Sequence, residues 1–221
     1  MNFEALKNII LDDLVMPIAP LRKGKLASEY GSQIIDYSKG AFSYSNRIIP
    51  PYNSTQTHGD DCYNRLLEYI RRTYTEGNIL DLGCGSGELL RKIQQITKIN
   101  KESLYGSSIC VGEVKHARAI FNLPNVIPGD LRKCAEIFND IKFDIIIFHC
   151  VFQFIPEEER TAAMNSAATL LNNNGRILVV DYRNDPCVKL EKEDLIKSFT
   201  INVINDEGQV SMGDLTEYKV R

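Results

Sequence analysis

Ile-Leu-Asp-Leu-Gly-Cys-Gly-Ser-Gly-Glu-Leu-Leu, residues 79–90, joins a short apolar run to a helix-like run through glycine at every second position. A strand that ends at Leu82 and feeds a helix beginning near Glu88 must turn between them. Gly83, Gly85 and Gly87 remove the side chains that would keep a ligand away from the backbone of that turn. The spacing separates ligand classes. A dinucleotide turn reads Gly-x-Gly-x-x-Gly and seats a pyrophosphate on the helix N-terminus. Here the third glycine arrives one residue early, and Glu88, which repels a diphosphate, stands where that pattern needs glycine. No Gly-x-x-x-x-Gly-Lys-Ser/Thr occurs, so a nucleoside triphosphate loop has no support.

Outward from this turn, strands and helices alternate. The pattern predicts strand 78–82, helix 87–97, strand 103–107, helix 111–121, strand 125–127 and a short helix after Asp130. It continues with strand 143–148, helix 156–171, a turn at 172–175, strand 176–181, a helix near 190–198 and strands near 200–205 and 215–220. Such alternation predicts an α/β fold with a seven-stranded, mostly parallel sheet, and the unbroken β-branched runs suit strands covered on both faces.

The first 60 residues differ in character. Phe3, Leu6, Ile9, Ile10 and Leu14 recur at helical spacing before Pro17 and Pro20. Tyr30, Tyr37, Phe42, Tyr44 and Tyr52 are then set among Gly, Ser and Asn, which reads as a lid with loop character. A helix from Asp60 puts Leu66, Leu67, Ile70 and Tyr74 on one face and leads into the sheet. The division expected is a lid and substrate-selecting region at 1–60 and a ligand-binding domain at 61–221. The chain stops almost at its last strand and the linkers after 148 and 181 are short, which places substrate selection in the first region.

The run from Asp81 to Gly87, Asp-x-Gly-x-Gly-x-Gly, resembles the class I S-adenosylmethionine-dependent methyltransferases, and the resemblance covers roughly residues 60–221. It implies a three-layer Rossmann-like fold whose seventh strand is antiparallel, with S-adenosyl-L-methionine as cofactor. It implies that Gly83, Cys84, Gly85 and Gly87 bring backbone to the cofactor's methionine and ribose, and that Asp81 helps hold its ammonium group. At the end of the second strand the family usually places an acid for the ribose hydroxyls. Here Ser108 and Ile109 fill that slot, with Glu113 a turn further on. Pro-Gly-Asp-Leu at 128–131 is similar to the family's Gly-Asp turn, which carries the adenine contact to Asp130 and Leu131.

In open α/β sheets ligands sit beyond the carboxyl ends of the strands. His149, after the fourth strand, is therefore the best-placed titratable group, both against the cofactor and as a base for an attacking hydroxyl or amine. His58 is a second candidate base. Tyr37, Tyr44 and Gln153 are the expected substrate contacts, Tyr offering a large apolar face with a polar tip. No metal is expected, because His58, Asp60 and Asp61 form no assembled ligand set and an N-cap accounts for the acids.

With 221 residues, 43% of them hydrophobic and 25% charged, the chain has enough apolar content for one α/β domain with an appendage. A net charge of -3 gives no general attraction to phosphate backbones, so nucleic acid is disfavoured and a small acceptor preferred. Six cysteines without a Cys-x-x-Cys pair read as reduced core residues. Without a leader-like start or a long apolar run, no membrane association and a cytoplasmic location are expected. The function expected is transfer of a methyl group to an O, N or C nucleophile of a small molecule, in a biosynthetic role. Two alternatives stand beside it: a catalytically weak or inactive cofactor-binding partner, motivated by Ser108, and a methyltransferase of protein or RNA. A homodimer or a complex with a partner protein is left open.

Overall fold

Strands that helices cover on both faces are buried along their length, and four adjacent parallel strands make up one side of the sheet. They are β1 (Ile79–Leu82), β2 (Leu104–Ser108), β3 (Asn125–Pro128) and β4 (Phe143–His149). The computed structural model describes residues 2–8, 60–149, 151–152, 155–181, 195–204 and 210–220. Within these, β5 (Leu171–Asp181), β6 (Leu195–Ile204) and β7 (Val210–Val220) complete a seven-stranded sheet in the order β3-β2-β1-β4-β5-β7-β6. The pairs β1–β2, β1–β4, β2–β3 and β4–β5 are parallel, whereas β7 runs antiparallel between β5 and β6. The expected α/β fold with an antiparallel last strand is present.

Helices cover both faces: α1 (Phe3–Lys7), α2 (Asp60–Thr73), α3 (Glu88–Thr97), α4 (Val111–Ile120), α5 (Cys134–Ile137) and α6 (Glu157–Ala168). Successive strand residues point to opposite sides, and the two apolar clusters follow that parity. Leu80, Leu82, Ile146, Phe148, Ile177 and Val179 pack with Phe3, Leu6, Ile137, Met164 and Ala167 of α1, α5 and α6. Ile79, Leu104, Ile145, Ile147, Leu178 and Val180 pack with Leu66, Ile70, Leu90, Ile93, Val114 and Ala117 of α2, α3 and α4. Asp81, which shares the parity of Ile79, belongs to this second face.

Two expectations need correction. Residues near 190–198 were expected in a helix, yet Leu195–Ile204 is a strand, paired with β7 from Leu195↔Val220 onward. Phe199, Ile201 and Val203 alternate with Thr200 and Asn202 at the period of a strand, and the length of β7 extends that pairing back to Leu195. Asn172–Gly175 was expected to be a turn before the strand. Instead β5 starts at Leu171 and these four residues are an irregularity inside it, because Phe143 pairs with Leu171 and Ile145 with Arg176. Asn172 anchors the irregularity by donating to Asp144 Oδ1 at 3.0 Å. Of the N-terminal helix, Phe3–Lys7 is seen; the remainder to Leu14 and the aromatic stretch 30–52 lie outside the described residues. No helix among the described residues is long and apolar enough to cross a membrane.

Candidate cofactor and acceptor site

The carboxyl ends of β3, β2, β1 and β4 lie side by side, and chain direction through the sheet reverses between β1 and β4, the position where open α/β sheets leave a crevice. The glycine turn emerges there. Gly83, Gly85 and Gly87 have φ of 82°, 54° and 81°, all left-handed. Gly83 is further constrained by space, since a Cβ on it would lie 2.5 Å from Val151 Cγ1. The turn is pinned to β2: the Gly83 and Cys84 N–H groups both donate to Ser107 O at 2.9 Å. Cys84, buried beneath it, has its thiol pushed well up by burial, which makes it a packing residue and not a nucleophile.

Asp81 sits at this turn with 2% of its surface exposed, and its Oδ1 is buried without a hydrogen-bond partner among the described residues. Burial pushes its carboxyl up to about 7. An unpaired buried carboxyl is costly, and a cationic group brought to the crevice would relieve that cost.

At the end of β2, the Ser108 hydroxyl donates to Glu113 Oε2 at 2.6 Å and accepts from the Cys110 N–H at 3.1 Å. The serine in the acid slot is therefore joined to an acid from the first turn of α4. Burial raises the Glu113 carboxyl to about 7, with the Ser108 hydrogen bond pulling the other way. Its Oε1 lies 3.5 Å from where a Cβ of Gly85 would be, so the carboxyl faces the bare backbone of the turn.

After β3, Asp130 caps a single 3-10 turn at Leu131–Lys133 by accepting from the Arg132 N–H at 3.0 Å. Its carboxylate also takes the Arg132 guanidinium, with Nε at 2.9 Å from each oxygen and a further close contact from Nη2 to Oδ2. Arg132 in turn reaches Glu159 on α6 at 2.6 Å. Burial pushes the Asp130 carboxyl up, but its bonds to Arg132 outweigh this and hold it below the usual range. This clasp was missed in the sequence, since the link between Arg132 and Glu159 spans 27 residues and exists only in the fold. Leu131 reaches the glycine turn, its Cδ2 lying 3.4 Å from a Cβ built on Gly83.

His149 closes β4 partly buried, two residues beyond Ile147, which pairs with Asp81. By strand alternation it continues the face shared by Asp81 and Ile147. Ile109 follows Ser108 directly and is partly buried. His58, Tyr37, Tyr44 and Gln153 lie outside the described residues. Among the described residues, no group of three or more His, Cys, Asp or Glu side chains is placed to hold a metal ion.

Residues 79–175, from β1 into β5, match the methyltransferase domain family. This match, over less than half of the chain, supports the resemblance to the class I S-adenosylmethionine-dependent methyltransferases. Malonyl-[acyl-carrier protein] O-methyltransferase 1 of Ilyobacter polytropus is 26% identical over 158 residues, 71% of this chain and 54% of that protein. Malonyl-[acyl-carrier protein] O-methyltransferase of Halalkalibacterium halodurans is 26% identical over 187 residues, 80% and 66% of the two chains. The chain thus spans between 54% and 66% of the length of these relatives. Among solved structures, the N-methyltransferase NodS of Bradyrhizobium japonicum, in complex with S-adenosyl-L-homocysteine, shares the fold with a TM-score of 0.57 at 14% identity. That alignment covers 72% of this chain and 85% of NodS.

S-adenosylmethionine is the cofactor that the resemblance implies, and the residues of this chain fit it. Asp81 offers a buried, unpaired carboxyl oxygen to an ammonium group, and the glycine turn leaves backbone open beside Glu113.

Proposed function

We propose that the protein transfers a methyl group from S-adenosylmethionine to an oxygen, nitrogen or carbon nucleophile of a small molecule. The observation that carries this reading is the buried Asp81 Oδ1, without a hydrogen-bond partner among the described residues, beside a turn stripped of side chains. When bound, S-adenosylmethionine supplies an activated methyl group. The chain's part is then to orient and to exclude water, which in a displacement of this kind supplies much of the acceleration. In this reading Asp81 holds the ammonium group, Gly83, Cys84 and Gly85 present backbone, and Asp130 with Leu131 frames the adenine. His149 takes the proton from the acceptor's nucleophilic atom where that atom carries one. Residues 1–60, with Tyr37 and Tyr44, and Gln153 select the acceptor, and His58 is a second candidate base.

The names of the two relatives make a carboxylate oxygen on a malonyl group, carried by an acyl carrier protein, the first acceptor to try. A net charge of -3 argues against a nucleic acid acceptor. Incubation with methyl-labelled S-adenosylmethionine and a panel of free and carrier-bound acyl acids, amines and phenols tests the reading. Label in a small or carrier-bound product is the expected result. Tight binding of the donor with transfer only to protein or RNA, or to nothing, overturns it.

A further inference from the structure

Helix α6 is tied to the segment after β3 at two places, and the ties differ in kind. Toward the end of the helix, the Ser166 hydroxyl oxygen accepts from the Ala135 N–H at 3.2 Å and from the Cys134 thiol at 3.3 Å. Seven residues earlier, about 10 Å back along the helix, Glu159 Oε2 takes Arg132 Nη1 at 2.6 Å. The first tie is neutral. The second is charged and half-exposed, with 35% and 40% of the Arg132 and Glu159 side chains open. We propose that Arg132 is a positioning residue that works as a latch: a ligand group donating to Asp130 releases the guanidinium toward Glu159 and draws in the first turn of α6, so that filling the donor crevice sets the wall on the acceptor side. The proposal rests on the adenosyl-binding reading of the site.

Asp130 is fully engaged as it stands. Its Oδ1 accepts from the Arg132 N–H at 3.0 Å and from Nε at 2.9 Å, and its Oδ2 accepts from Nε at 2.9 Å and from Nη2. A carboxylate offers about four acceptor positions, and one residue supplies all of these contacts. A donor reaching Asp130 from the crevice therefore displaces part of the guanidinium. Arg132 can yield without losing its pairing, because Glu159 already holds Nη1. Its bonds to both acids push the guanidinium further above its ordinary value, so the exchange moves a charge between two carboxylates and no proton.

This movement has a route to the glycine turn. Leu131, beside Arg132, has its Cδ2 3.4 Å from the Cβ position of Gly83, and Val151, between β4 and α6, has its Cγ1 2.5 Å from the same point. Leu131 and Val151 thus close on the turn from the two segments that the latch joins. The Ser166 tie is the pivot. A static surface ion pair is the competing account, and it responds to no ligand.

Hydrogen exchange on the full chain, with and without saturating S-adenosylhomocysteine, separates the two, and titration calorimetry gives the affinities. In the wild type the ligand should slow exchange in the first two turns of α6 by about tenfold, the size of one strengthened charge-assisted hydrogen bond, together with exchange at the glycine turn. Glu159→Gln removes the charge that receives the guanidinium. Its α6 response should vanish and its affinity should fall by about three- to tenfold. Arg132→Gln removes the ligand's competitor at Asp130, so the α6 response should vanish while the affinity holds or rises. Opposite signs from the two ends of one ion pair mark a latch, since a structural bridge loses the same thing whichever end is cut. Glu159→Gln, at a half-exposed position, carries the test if the arginine variant does not fold. Unchanged exchange in α6 of a wild type whose glycine turn is protected, or equal affinity changes in the two variants, overturns the proposal and leaves the adenosyl site standing. No protection anywhere and no heat of binding remove the adenosyl reading itself, and the latch with it.

Discussion

Asp81 concentrates the chemistry of the turn in one side chain. Its carboxyl is raised from 3.8 to about 7 by burial, and its Oδ1 has no hydrogen-bond partner among the described residues. A carboxyl whose folded value is raised stabilises the fold below its unfolded value near 4, and that contribution is lost as pH rises through about 7. Glu113, also raised to about 7, acts in the same direction. Asp81→Asn removes the ionisation while keeping the shape. Urea unfolding of the ligand-free variant should show a gain on the order of 1–3 kcal/mol at about pH 8 and little change at about pH 4. Binding of S-adenosylhomocysteine should weaken by about tenfold or more, through loss of the charged partner. Equal stability at both pH values, or undiminished binding, would show that the carboxyl is neither strained nor used. Asp81 and the glycines were legible because their spacing is the signal. Glu113 was visible only as an acid one turn away, since a rotamer and a 2.6 Å contact are not written in spacing.

Among the elements, the joint between β1 and α3 is the most demanding. α3 starts from Gly87 at φ 81°, whose N–H donates to Cys84 O at 2.9 Å. A Cβ there would meet Leu123 Cδ1 at 2.9 Å and Ala117 Cβ, on α4, at 3.2 Å. Gly87→Ala thus combines an unfavourable backbone conformation with crowding between α3 and α4. It should cost about 1–3 kcal/mol, and for a chain of this size lower the thermal midpoint by roughly 3–10 °C. A midpoint within about 1 °C of wild type in a thermal scan would show that α3 shifts freely on α4. Strands covered on both faces and helices with one apolar face were readable from periodicity. The start of β6 was not, because Leu-Ile-Lys-Ser at 195–198 suits a helix turn as well as a strand and its pairing with β7 decides. The irregularity at Asn172–Gly175 is similar: Asn-rich sequence announces a bend, and only the register against β4 says that the strand continues through it.

In the molecule as a whole, the N-terminus belongs to the core. Phe3 packs against Tyr105 and Phe138 with ring centroids 5.4 and 5.5 Å apart, and Arg118 of α4 donates to Leu6 O at 3.4 Å. Phe3→Ala should therefore destabilise the entire domain, by about 2–4 kcal/mol, measured as a shift of one cooperative denaturation curve. A variant that unfolds like the wild type would mark α1 as dispensable. By itself the sequence determined the order of elements from β1 to α6, the parallel part of the sheet, the crevice turn and the family it resembles. These rest on local periodicity and on glycines whose conformational freedom is intrinsic. Only the tertiary structure decided that Phe3 and Leu6 join one face of the sheet, that Arg132 occupies the Asp130 carboxylate, and that Glu113 meets Ser108 over Gly85. Each of those depends on where a helix docks, and docking is set by the packing of both faces together, which no single stretch of chain encodes.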